Sequence, residues 1–192
     1  MRCREMYLLK HYLVNQETSL IKGEYNQYGK LCSRILEGRK TFLVECSPIK
    51  LLDETLKFNG FDYKGATIGA KSILRKNSMC PIVLNQALGI CMFPINSPDK
   101  HDNIWFNPDH IVQTFPYGSK TDVELSNGVI IRVNLTLTTF NNKLQVAHQY
   151  RKITHNRGRL TMTMILEAKK EPVVIKKEKG HYNFDKMKRD DD

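Results

Sequence analysis

Residues 122–133 read DVELSNGVIIRV, and this stretch decides the fold class of the chain. Apolar residues alternate with polar ones on both sides of Asn127-Gly128, the strongest two-residue signal for a tight turn between antiparallel strands. The stretch therefore predicts a β-hairpin. Strand patterns also follow one another in the N-terminal half, where the hairpins are expected to pair residues 6–14 with 18–23 and residues 30–36 with 41–45.

Helix signals interrupt these strands twice. Ser47 can cap a helix that begins at Pro48 and ends before Asn59-Gly60. A glycine-bearing loop over residues 60–69 follows, and a short basic helix or turn is expected over residues 67–76. A later helix, capped by Thr138 or Thr139, is expected to run to about Ile153. Short strands are expected over residues 81–84, 89–93, 103–106 and 111–115.

These elements predict an α+β fold: a strand-rich single domain with antiparallel hairpins and two or three helices. The domain is expected to cover residues 1–166. Residues 167–192 carry both charge signs and few apolar side chains, a composition typical of a flexible, disordered tail.

The charge balance selects possible partners. Lys and Arg number 30 against 20 Asp and Glu, a formal net charge of +10. Such a surplus favours nucleic acid, an anionic membrane or an acidic protein as a partner. No acid occurs in residues 63–98 or after Leu125 up to residue 166, while five acids lie between these windows. Clustered cations without competing carboxylates favour a polyanion-binding face over chance segregation on a solvated surface. The candidate DNA-binding residues are Lys57, Lys64, Lys71, Arg75, Lys76, Arg132, Lys143, Arg151, Lys152, Arg157 and Arg159.

Secretion and membrane insertion are not expected. The N-terminal residues lack a signal-peptide h-region, and the longest uncharged run, residues 77–98, is too polar for a transmembrane helix. The five cysteines are scattered without a CxxC pair, which argues against a disulfide framework and against a zinc ribbon. We therefore expect a soluble cytoplasmic protein with reduced cysteines and no membrane partner.

Enzymatic motifs are weak. The densest cluster of metal-ligating types is His101, Asp102, Asp109 and His110, which would suit a basic metal-dependent nuclease; a polar surface loop is the interpretation that the spacing favours. The glycines of residues 60–69 match no phosphate-binding loop. No cofactor or metal is expected, and an RNA-binding module stays open as a further alternative.

Aromatic residues next to lysines form another candidate feature. Phe58, Phe61 and Tyr63 lie beside Lys57 and Lys64 and could stack on bases, although core packing is the more common role of such side chains. Trp105 is expected to belong to the core.

Several residues in order carry a family resemblance. These are Gly60-x-x-Tyr63-x-Gly65-x-x-x-Gly69, Pro81-Ile82, Phe93-Pro94, Trp105, Ser126-Asn127-Gly128 and Phe140. Together, over residues 6–155, they resemble the ComK family of competence transcription factors.

The resemblance implies a function. A ComK-like protein is expected to activate DNA-uptake genes by binding double-stranded, AT-rich promoter boxes through the minor groove. The resemblance also implies a homo-oligomer, a dimer or a tetramer on DNA, that contacts RNA polymerase and is delivered by an adaptor to a Clp protease. Its location would be the nucleoid within the cytoplasm. The narrow, strongly negative minor groove of A-tracts attracts Arg and Lys, which agrees with the composition.

Overall fold

The computed structural model describes residues 6–159, which form ten strands and three α-helices. The strands are β1 (Met6–Leu9), β2 (Thr18–Tyr25), β3 (Leu31–Glu37), β4 (Lys40–Val44), β5 (Ile82–Asn85), β6 (Ile90–Pro94), β7 (Ile104–Phe106), β8 (Ile111–Tyr117), β9 (Lys120–Leu125) and β10 (Ile130–Val133). The helices are α1 (Pro48–Phe58), α2 (Tyr63–Leu74) and α3 (Leu137–Arg159). The predicted α+β class is confirmed.

The strands of residues 6–159 build two sheets. The larger has the order β1-β4-β3-β2-β7-β6-β5, and the smaller has the order β10-β9-β8. Every pair is antiparallel except β1 with β4, which run parallel.

Strands β6 and β7 of the larger sheet are buried on both faces, which explains why they are continuously apolar. Neighbouring residues alternate between two cores: Met92 and Trp105 pack with α1 on one face, while Phe93 and Phe106 pack with α3 and the smaller sheet on the other. Phe140 of α3 meets the rings of both Phe93 and Phe106, with centroids 5.9 and 5.5 Å away. The core position expected for Trp105 is confirmed.

The helix after Ser47 begins and ends as its signals predict. The Ser47 hydroxyl accepts a hydrogen bond from the Lys50 amide at 3.3 Å, and Gly60, with φ of +83°, follows the last turn. The expected loop over residues 60–69 is wrong, because α2 already begins at Tyr63. The Asp62 carboxylate caps it by accepting from the Gly65 amide at 2.8 Å. The connection between α1 and α2 is therefore only four residues long.

The hairpin predicted for residues 6–14 and 18–23 is wrong. β2 pairs with β3 on one edge and β7 on the other, so β1 lies beside β4 instead. The connecting segment is fixed by non-strand contacts, in which the Val14 amide donates to Thr55 Oγ1 at 3.1 Å and Tyr12 donates to Glu37 at 2.5 Å. These tertiary contacts replace the extended pairing that the sequence pattern favoured.

The other predicted hairpins are confirmed. β3 and β4 meet at Gly38, and β9 and β10 meet at residues 126–128. The latter turn has three residues rather than two, because the Gly128 amide donates to the Leu125 carbonyl at 2.8 Å and Gly128 adopts a φ of +76°. The short strands expected at residues 81–84, 89–93, 103–106 and 111–115 are present as β5 to β8.

The late helix is longer than predicted. Thr136 caps it, by accepting from the Thr139 amide at 3.4 Å, and α3 continues to Arg159. Its last turn packs tightly, since a Cβ on Gly158 would collide with the side chain of Gln86.

Cys32, Cys46, Cys80 and Cys91 are buried free thiols within the described residues. The predicted domain end at residue 166, the tail 167–192 and Cys3 lie outside these residues.

Candidate nucleic-acid interface

The two acid-free windows of the sequence meet where α2 packs against α3. Neither helix contains a carboxylate. Ala70 of α2, Cys80 of the following loop and Tyr150 of α3 form the buried contact between them. The fold therefore brings together two basic segments that are about 75 residues apart in the sequence.

Three lysines converge at this contact. The charges of Lys71 and Lys76 act on the Cys80 thiol, whose pKa is nevertheless raised by burial. Lys76 and Lys143 line one cavity of about 280 Å³. Burial and, secondarily, the charge of Lys76 lower the pKa of Lys143.

Most cations of α2, of the loop after it and of α3 lack carboxylate partners within residues 6–159. Among residues 6–159, ion pairs involve none of Lys64, Lys71, Arg75, Lys76, Lys143, Lys152 and Arg157. We call these seven residues the unpaired cations. Arg75 ends α2 in the left-handed conformation, with φ of +51°, which is uncommon for a residue with a side chain. A concentration of positive charge without carboxylates can bind phosphate groups without first breaking an ion pair.

The other flank of α3 presents a second group. Lys152, His148 and His155 line a cavity of about 480 Å³ beside the turn between β5 and β6. Burial, followed by the charge of Arg151, lowers the pKa of His148. Lys152 is the member of the unpaired cations on this flank, and Arg151 lines the same cavity.

Three sequence-predicted cations lie in ion pairs instead. Lys57 contacts Asp53 at 2.7 Å, and Arg151 contacts Asp109. Arg132 makes two contacts with Asp122, at 2.6 and 2.8 Å, and its guanidinium lies 3.3 Å from the centroid of the Tyr117 ring. The hydrogen bonds from Lys57 and Arg132 lower the pKa of Asp53 and of Asp122. Arg159 is the last described residue, and its side chain lies outside the description.

The glycine motif builds the connection between α1 and α2. The Tyr63 amide donates to Asp53 Oδ1 at 2.9 Å, and the Tyr63 ring meets Trp105 edge-on at 6.5 Å. A Cβ on Gly65 would come within 3.2 Å of the Asp62 carboxylate, whereas Gly69 has open space. The other motif positions, Asn127 and Gly128, form the β9–β10 turn, where the Asn127 amide donates to the Gly38 carbonyl. The motif residues thus have local structural roles, except Gly69, for which no contact shows a role.

Aromatic side chains are exposed next to the basic region. Phe58 is 75% and Phe61 is 62% exposed, so core packing is the wrong interpretation for both, whereas Tyr63 is half-buried. Phe61 lines a cavity of about 520 Å³ together with His155 and Gly158 of α3. An exposed ring beside basic side chains is suited to contact with a base or a sugar.

The His/Asp cluster does not converge. The His101 ring lies tilted against the Tyr25 ring, with centroids 5.1 Å apart, and Asp109 is paired with Arg151. His110 uses both ring nitrogens, contacting Ser126 Oγ at 2.8 Å and the Gln16 carbonyl at 2.7 Å. Within residues 6–159, no three His, Cys, Asp or Glu side chains are placed to hold a metal ion. The nuclease alternative therefore has no assembled site in this part of the chain.

Sequence reasoning missed two features of the region. The pairing of Asp109 with Arg151 has no local signal, because the residues are 42 positions apart. The cavity around Lys143 was missed because Asn77 and Ser78, in its wall, belong to a loop without a motif.

None of the helices in the described region is long and apolar enough to cross a membrane.

Comparison with known proteins gives a consistent relationship. The family model described as ComK protein matches residues 9–159. The chain is 26% identical over 137 residues to a competence transcription factor of Bacillus subtilis (strain 168), and the match covers 71% of each chain. No solved structure matches the chain.

Proposed function

The chain belongs to the ComK family of competence transcription factors, and on this premise we propose that it activates competence genes by binding AT-rich promoter DNA. The family consists of transcription factors rather than enzymes. Regulation of competence follows from this membership. The DNA sequence, the groove and the contacting residues are our proposal.

The observation that supports this proposal most is the absence of carboxylate partners for the unpaired cations. Lys71, Lys76 and Lys143 come from two separate segments of the sequence and meet at one contact between helices. Their charges have no internal partner among residues 6–159, so an external polyanion is the natural partner. We assign phosphate contact to this set and a lesser role to Lys57, Arg132 and Arg151, whose charges are already compensated.

The groove needs its own test. We propose the minor groove, in which Arg and Lys side chains gain most from the negative potential of narrow A-tracts. A competing geometry has support of its own, because α1 and α2 are consecutive helices joined by four residues and α2 exposes Lys64, Ile68 and Lys71. A short helix–turn–helix arrangement is typical of major-groove readers.

Fluorescence anisotropy with labelled duplexes distinguishes these geometries. The protein is titrated into an AT-rich and a GC-rich duplex of equal length, with and without distamycin, which occupies the minor groove of AT tracts. We expect tighter binding to the AT-rich duplex and displacement of the protein by distamycin. Binding that survives distamycin but is lost with methyl green, a major-groove ligand, would contradict the minor-groove assignment. Competition by duplex RNA of the same length tests the RNA-binding alternative.

Four further proposals rest on family membership. We propose that the protein binds DNA as a dimer or tetramer, contacts RNA polymerase, is delivered to a Clp protease by an adaptor, and resides at the nucleoid in the cytoplasm. We also propose that residues 1–166 form the DNA-binding domain and that residues 167–192 are a dispensable tail. Deletion of residues 169–192 should leave the melting temperature nearly unchanged, and a large decrease would contradict this division.

A further inference from the structure

The amine of Lys143 lies in an unusual environment for a lysine. The side chain is half-buried, and its Nζ is 3.5 Å from Met79 Sδ. It lines the cavity of about 280 Å³, well above the roughly 15 Å³ that one water molecule needs. No carboxylate of residues 6–159 contacts this amine. A small solute can therefore reach it without displacing an ion pair.

The same surroundings make the amine nucleophilic. Burial lowers the pKa of Lys143, and the like charge of Lys76, the charged group that acts on it, lowers the pKa further. The neutral amine is the reactive form, and its fraction rises about tenfold for each unit by which the pKa falls. Among residues 6–159, no acid offsets this effect by pairing with the ammonium form.

Residues whose side chains can bind a phosphate also line the cavity. Lys76, Asn77 and Ser78, all from the loop that follows α2, carry an ammonium, an amide and a hydroxyl. Charge-assisted hydrogen bonds from an ammonium to phosphate oxygens are among the stronger polar contacts in proteins. A small molecule that joins a phosphate to an acyl group would therefore be held beside the nucleophile.

We propose that Lys143 is a site of covalent acylation by small acyl phosphates, which the cavity orients through Lys76, Asn77 and Ser78. The neutral Nζ attacks the acyl carbon, a nitrogen–carbon bond forms, and the carbon–oxygen bond to phosphate breaks. The phosphate leaves with the bonding pair beside the ammonium of Lys76 and takes up the one proton that the nitrogen releases, so hydrogen phosphate is the second product. No oxidation or reduction occurs.

Acylation would remove one positive charge from the centre of the unpaired cations. This consequence for DNA binding rests on the proposed function, whereas the chemical step does not. The modification would therefore weaken the complex in proportion to the metabolic supply of acyl phosphate.

The test uses the full chain and acetyl phosphate. Acetylation rates of individual lysines are measured by peptide mapping and mass spectrometry, with Lys152 as an exposed comparison on the same helix. We expect Lys143 to react several times faster than Lys152. Inorganic phosphate should slow the reaction of Lys143 by competing for the cavity and leave that of Lys152 unchanged.

One variant sharpens the result. Lys76→Gln should reduce the rate at Lys143 severalfold, with the melting temperature as the control for folding. A rate at Lys143 no greater than at Lys152, or a rate insensitive to inorganic phosphate, would overturn the proposal.

DNA affinity separates this proposal from the proposed function. Lys143→Gln, which carries no charge, should bind the AT-rich duplex more weakly than Lys143→Arg. If acetylation is selective for Lys143 but neither variant changes DNA affinity, the acylation site stands and the placement of Lys143 in the DNA surface fails.

Discussion

The Asp109 carboxylate, in the short 3-10 turn between β7 and β8, is paired with the Arg151 guanidinium in the middle of α3. Asp109 belongs to the acidic stretch that separates the two acid-free windows. The fold places this one acid beside the basic helix α3. The charge of Arg151 also acts on the buried Cys91 thiol, whose pKa burial raises to about 12. Arg151 therefore links α3 to the sheets, and its charge is largely compensated by Asp109 within the molecule.

This pair predicts a gain of function. Asp109→Asn should strengthen DNA binding, because it removes one negative charge from beside α3 and leaves Arg151 free to contact phosphate. The free energy of unfolding should fall by only about 0–1 kcal/mol, since the pair is partly exposed. Asp53→Asn, which breaks the ion pair with Lys57 on α1, is the matched control and should change affinity less. Equal affinity for Asp109→Asn and the wild type would mean that Arg151 lies away from the DNA.

Two glycines near the α2–α3 contact predict unequal changes in stability. Gly69 lies inside α2 with open space at its Cβ position, so Gly69→Ala should raise the free energy of unfolding by about 0.5–1 kcal/mol. Gly158→Ala should change it by less, because the end of the exposed Gln86 side chain must turn away from the new methyl group and give up its hydrogen bond to the Thr154 carbonyl, which offsets the gain in helix propensity. Urea denaturation of both variants checks the pair. A loss of stability in Gly69→Ala would show that α2 packs differently there.

The segment that connects β1 to β2 is held in place by one polar network. The Tyr12 hydroxyl lies 2.5 Å from Glu37 Oε2 and 2.6 Å from Thr18 Oγ1, and Asn15 donates to the same carboxylate at 3.0 Å. Tyr12→Phe should lower the free energy of unfolding by about 1–2 kcal/mol, because Glu37 keeps only one of these partners. Tyr28→Phe, at a side chain 84% exposed, serves as the control and should have no effect. Equal midpoints in urea for the two variants would contradict the network's role in stability.

Buried thiols and phenols predict a loss of stability at alkaline pH. Burial raises the pKa of Cys46 to about 11 and those of Tyr63 and Tyr150 to about 12. A thiol in the unfolded chain ionises near its ordinary pKa of 9.0, so the unfolded state loses protons first as the pH rises. The contribution of these groups is thus full below pH 9 and declines above it. Urea midpoints under reducing conditions should fall steadily above this pH, and a constant midpoint to about pH 10.5 would refute the prediction.

The sequence predicts most of the fold because its signals are local. The turn glycines Gly38 and Gly128, and the Ser47-Pro48 helix start, act within a few residues of themselves, and each is confirmed. The pairing of β1 was not predictable in this way. It depends on Tyr12 and Val14 reaching Glu37 and Thr55, contacts that no short pattern encodes.

The candidate site was likewise predictable from the sequence only where its signals are local. The acid-free windows reveal that α2 and α3 are basic, but a count of acids in sequence cannot show which cations are compensated in space. Arg132 and Arg151 are paired with residues outside their own windows, whereas Lys76 and Lys143 are not paired within the described residues. The assignment of DNA contacts to the unpaired cations therefore stays a prediction that requires measurement.

The most direct measurement is the salt dependence of affinity for an AT-rich duplex, compared between two matched triple variants. One is Lys71→Ala, Arg75→Ala, Lys76→Ala, which removes unpaired cations. The other is Lys57→Ala, Arg132→Ala, Arg151→Ala, which removes paired ones. If each unpaired cation contacts one phosphate, the slope of log affinity against log salt should fall by about three in the first variant and much less in the second. Equal slopes for the first variant and the wild type, with both proteins folded, would contradict the assignment of DNA binding to α2 and α3.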